Sequence, residues 1–87
     1  MKTVIDPKYH DYYERLGSLV LMKRKQTGLK QKDFAKKCGV SRSTISALES
    51  GAEGRTYTLD TIFRISDVIG MKPVEMFAFT IPEGEGE

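Results

Sequence analysis

Four glycines, Gly28, Gly39, Gly51 and Gly70, cut the chain into pieces whose lengths suit short helices. Each follows a stretch with apolar residues at helical spacing, where a left-handed residue closes a helix. Start signals match these stops: Ser41 and Thr58 stand as N-caps, and Pro7 and Pro73 near first helical positions. The spacing predicts five helices. The first covers 9–26, with Tyr9, Tyr13, Leu16 and Val20 in register. The second, Gln31–Cys38, carries Phe34, Ala35 and Cys38, with Leu29 packed just before it. The third, Arg42–Ser50, turns Ile45 and Leu48 inward. In the fourth, 59–69, Leu59, Ile62, Phe63 and Ile69 share a face, with Ile65 and Val68 beside it. The last is short, 73–77. Strand signals are weak and confined to 77–81, so the expected fold is all-α. Residues 1–8 then form an extension, 9–79 a helical domain and 80–87 an acidic tail.

A chain of 87 residues makes one domain. A domain this size buries only ~60% of its unfolded surface, which leaves little room for an enclosed active site. The net charge is only +2, but its distribution is uneven. Eight of the fourteen basic residues lie between Lys23 and Arg42, against one acid, Asp33. The last eight residues hold three acids and no base, so without them the charge is +5. Such a basic body suits a surface facing phosphate, although a basic run can also be a plain solvated face. A single His, a single Cys and no paired nucleophile and base argue against an enzyme, and nothing calls for a metal or cofactor. Cys38 reads as a small core residue in a reducing compartment. The longest apolar run, 19–22, is far too short for a membrane span. A cytoplasmic protein is expected.

The second and third helices are joined by Gly39-Val40-Ser41 alone. Two short helices with a tight, glycine-containing turn form the DNA-binding supersecondary unit. The face of the third helix opposite Ile45 and Leu48 carries Arg42, Ser43, Ser46 and Ala47. These side chains are short or hydrogen-bonding, and suit a helix lying deep in a groove about 12 Å wide.

Residues 29–51, LKQKDFAKKCGVSRSTISALESG, resemble the Cro/C1-type (xenobiotic-response-element) helix-turn-helix family. The family pattern of Gln, then Leu-Ala, Gly-Val-Ser, Ile-Ser and Glu-x-Gly falls at Gln31, Phe34-Ala35 (with Phe in the Leu position), 39–41, 45–46 and Glu49 to Gly51. The likeness continues through 58–61 and 69–70, and covers roughly 16–77. It implies a five-helix, lambda-repressor-like domain that reads double-stranded DNA with its third helix.

By the same resemblance, Gln31 would contact a phosphate and steady the first side chain of the reading helix. Arg42 and Ser43 match the main base-reading positions. Ala47 matches a third but offers at most a thymine methyl contact. Thr44 and Ser46 fall where phosphate contact is expected, and Ser41 caps the helix beside them. Arg55 lies in the loop that runs against the sugar-phosphate backbone. Lys30 and Lys32 supply phosphate contacts without reading sequence. Arg24 and Glu49 match a partly buried ion pair that ties the first helix to the third.

A regulator of this kind, most simply a repressor, would bind a pseudo-palindromic operator as a homodimer. The first helix is apolar around its circumference at Leu19, Val20, Leu21 and Met22. The part of that stripe the domain does not need, with Met76, Phe77, Phe79 and Ile81, is the expected dimer surface. Alternatives are an antitoxin with a toxin partner, a restriction-modification controller, or an adaptor that keeps the fold without DNA.

Overall fold

The computed structural model describes residues 5–52 and 54–80, and among them every regular element is helical. Asp6 accepts from the Lys8 amide at 3.0 Å and starts a short 3-10 turn, Pro7–Tyr9, with Pro7 in its first position. The α-helices are α1 (His10–Thr27), α2 (Gln31–Cys38), α3 (Arg42–Ser50), α4 (Leu59–Ile69) and α5 (Pro73–Thr80). The chain is therefore all-α, with the five helices the punctuation predicts.

The helix ends follow from their chemistry. Ser41 and Thr58 accept from the Thr44 and Thr61 amides, at 3.2 and 3.1 Å. At the end of α2, Gly39 adopts φ 74°, with its amide on the Lys36 carbonyl and the Val40 amide on Ala35. This double closure satisfies two orphan carbonyls in three residues and turns the chain directly into the cap of α3. A side chain at Gly39 would meet both an unfavourable φ and the Arg64 guanidinium at 2.9 Å.

The core gathers Leu16, Leu19 and Val20 from α1; Phe34, Ala35 and Cys38 from α2; Ile45 and Leu48 from α3; Ile62 and Ile65 from α4; and Met76 from α5. α1 runs against both α3 and α5, while α2 packs on α3 and α4. The α1–α3 crossing is tight because Gly17 lies at it. A Cβ there would come within 1.9 Å of the Leu48 carbonyl oxygen.

Three expectations need correcting. In α4 the buried stripe is Ile62, Ile65 and Ser66, whereas Leu59 and Phe63 are 62% and 46% exposed. The polar Ser66 sits at a core position and gives its hydroxyl to the Phe63 carbonyl at 2.8 Å, which hides the true period from a hydrophobicity reading. The segment 77–80 is the end of α5, not a strand; Ile81 and the acidic tail lie outside the described residues. Finally, Met76 is fully buried and so unavailable to a partner. α5 is wedged against α1 and α4, and that contact takes up its central methionine.

Candidate nucleic-acid interface

α2, the turn and α3 form one unit, and its outer face carries the residues singled out from the sequence. Arg42, Ser43 and Ser46 are exposed along α3, with Thr44 and Ala47 half-buried at the edges of that face. Arg42 has no partner among the described residues, so its guanidinium fork is available. Ala47 brings no polar atom to the surface. Lys30 and Lys32 are exposed at the start of α2, also without partners there. Lys30 is the N-cap position of α2 but makes no side-chain capping bond, so the first amides of α2 lack one.

The N-terminal turn of α3 is held by a small hydroxyl cluster. Ser41 Oγ lies 3.1 Å from Ser43 Oγ and 2.8 Å from Thr44 Oγ1. Arg55 closes over it, donating to the Ser43 carbonyl at 3.2 Å and to Thr44 Oγ1 at 2.7 Å. The Arg55 guanidinium also sits 5.8 Å from the centre of the Tyr57 ring, which packs on Tyr13 of α1 with centroids 6.3 Å apart. Burial raises the Tyr57 hydroxyl above its ordinary range, the Arg55 charge working against that shift. Tyr13 is half-buried against the body of the domain. Tyr9 and Tyr12 remain 45% and 39% exposed, stacked on each other.

The C-terminal turn of α3 is held differently. Arg24 reaches from α1 to Glu49, with Nε 2.6 Å from Oε2 and Nη2 3.1 Å from Oε1. The side chains are only 12% and 3% exposed. Arg24 Nη1 donates to the Leu29 carbonyl at 2.8 Å, and Gln31 Nε2 donates to Glu49 Oε1 at 3.0 Å. The carboxylate thus receives three donors, which satisfies a charge removed from water. Gln31 differs from its expected place here: its amide nitrogen steadies Glu49 in the last turn of α3, and not the first side chain of α3. A glutamine three residues before the buried Phe34 was the available signal, but its partner lies eighteen residues on. No local pattern could reveal it.

A helix-turn-helix in which the second helix presents an unpaired arginine and short polar side chains defines a class of DNA-binding domain. The chain belongs to the helix-turn-helix family: residues 20–76 match it, which is well over half the chain. The matched span includes the whole Cro/C1-type resemblance at 29–51. No curated protein matches the chain. Solved structures that share its fold include the following two. The restriction-modification controller protein C.AhdI from Aeromonas hydrophila is 24% identical, with 78% of this chain and 96% of that one covered and a TM-score of 0.68. The hypothetical transcription factor NHTF from Neisseria is 22% identical, covering 99% and 95%, with a TM-score of 0.70. No helix among the described residues is long and apolar enough to cross a membrane.

Proposed function

We propose that this protein is a cytoplasmic transcriptional repressor that binds a two-fold symmetric operator as a homodimer, with α3 in the major groove. The observation that carries the reading is the exposed, unpaired Arg42 at the head of a helix whose outer face is otherwise short and polar. Its fork fits guanine O6 and N7, a contact worth ~1–3 kcal/mol of discrimination. Ser43 is the second base reader, and Ala47 adds at most a methyl contact. Lys30, Lys32, Ser46, Gln31 and the first amides of α2 take phosphates and set the register. Two structural relatives, a restriction-modification controller and a hypothetical transcription factor, are regulatory proteins, which supports the same class.

One such domain reads few bases, so two copies on half-sites ~34 Å apart are needed for useful selectivity. The exposed Leu59 and Phe63 of α4 and Val74 of α5 are apolar residues offered for that pairing. No observation favours a toxin partner or an adaptor without DNA.

Selection from a random double-stranded DNA library tests the whole reading. It should return a palindrome with half-site centres about one helical turn apart. Arg42→Ala should relax preference for a guanine in each half. Binding should weaken linearly in log–log form as salt rises. A library with no enrichment, together with no binding to random DNA at low salt, would exclude the proposal.

A further inference from the structure

Arg55 is the one cation in the loop between α3 and α4, and its guanidinium is turned onto α3. A cation at a helix N-terminus is opposed by the helix dipole, so simple electrostatics does not put it there. Directed bonds do. Nη1 takes the Ser43 carbonyl and Nη2 the Thr44 hydroxyl, 3.2 and 2.7 Å away, with the Tyr57 ring behind the guanidinium. Tyr57 in turn leans on Tyr13, so a continuous line of contacts runs from α1 to the first turn of α3. That turn carries Arg42 and Ser43, the residues proposed to read bases. A two-pronged contact of this kind needs a planar fork, which lysine lacks.

We infer that Arg55 is a positioning residue, not a phosphate contact: it fixes the first turn of α3 and so aims Arg42 and Ser43. The inference rests on the DNA-reading proposal for its consequence, though not for the clamp itself. The two roles part on charge. A phosphate contact needs only the positive charge, which Arg55→Lys keeps, whereas a positioning role needs the fork, which it removes.

The experiment compares the full-length parent with Arg55→Lys, Arg55→Ala and Thr44→Val on the selected operator and on random DNA, across a salt series. Thr44→Val keeps the side-chain shape and deletes the acceptor, leaving the Arg55 charge in place. Positioning predicts that all three lose operator affinity on the order of ten-fold. Random-DNA affinity and the salt slope should stay at parental values. Parental affinity in Arg55→Lys, with Arg55→Ala losing operator and random DNA alike and its slope falling by ~1, overturns the inference.

Amide hydrogen exchange in the free protein gives a second readout that does not involve DNA. Arg55→Lys should speed exchange at Thr44, Ile45 and Ala47, the amides of the clamped turn. Unchanged exchange there overturns the inference even if operator binding falls. Should the parent bind no DNA, the repressor proposal fails, and hydrogen exchange alone judges whether Arg55 holds α3.

Discussion

At the scale of single residues, Glu49 shows how a buried charge can hold α3 in place. Removing its carboxylate would leave the Arg24 guanidinium with only the Leu29 carbonyl, and the Gln31 amide without its acceptor. Breaking one side of a buried pair costs ~3–5 kcal/mol, and each kcal/mol moves the midpoint of a domain this size by about 4–8 °C. Glu49→Ala should therefore melt at least about 10 °C below the parent by circular dichroism. Glu49→Gln, which keeps an oxygen acceptor, should lose less. A Glu49→Ala protein that melts with the parent would remove the pair from any structural role.

Cys38 makes a different prediction, in pH. Burial pushes its thiol from 9.0 up to about 11. The unfolded chain releases that proton near 9.0 while the folded chain holds it to about 11. Between those values the unfolded state binds fewer protons, so stability falls as pH rises through the window and is untouched below it. Urea midpoints at neutral pH and at about pH 10 should show this loss in the parent. In Cys38→Ala that component of the slope should vanish, although the cavity lowers stability at every pH.

At the scale of elements, the contact between α1 and α3 sets the posture of the helix-turn-helix. Gly17 allows it, since its missing Cβ would stand 1.9 Å from a backbone oxygen that cannot step aside. Ala is the better helix former by ~1 kcal/mol, yet the helices would have to separate, and overpacking of this sort costs ~1–3 kcal/mol or more. We expect Gly17→Ala to be destabilised by roughly 2 kcal/mol or more in urea unfolding. Ser18→Ala, one exposed residue further on, should be neutral or slightly stabilising. Equal stability of the two variants would mean that α1 and α3 are not held at this distance. The short connector 39–41 works with that contact: α2 ends and α3 begins within three residues, so moving α3 moves α2 too.

At the scale of the whole molecule, α4 and α5 keep large apolar side chains exposed, among them Leu59, Phe63 and Val74. Leu59 and Phe77 edge a groove of about 190 Å³ with Tyr12, Tyr13, Leu16, Tyr57 and Ile62. Phe63 lies one turn beyond Leu59 on α4. If two copies pair through this surface, Phe63→Glu should sediment as a monomer while melting near the parent, because Phe63 is already half in water. Its affinity for the full operator should fall by ~10²–10⁴, the avidity that linkage supplies, with half-site affinity retained. A variant still dimeric would move the interface to another face, with the exposed Met22 of α1 the next candidate.

The sequence by itself determined the elements. Glycine stops, Ser and Thr caps and helical spacing are local chemistry, so five helices and the tight turn at 39–41 could be read from it directly. The exposed face of Arg42, Ser43, Ser46 and Ala47 was equally legible, because it is the complement of Ile45 and Leu48 on one short helix. What only the tertiary structure decided were contacts between residues far apart in the chain. Gln31 on Glu49, Arg55 on Thr44 and Gly17 under Leu48 depend on how helices cross, and no periodicity records a crossing. Burial along α4 and α5 was misread for the same reason: Ser66 is inside because its hydroxyl finds a carbonyl, and Met76 because α1 and α4 close over it. The glycine stops that define α2 and α3 settle where the helix-turn-helix lies; Glu49 at one end of α3 and Arg55 at the other settle how it is held.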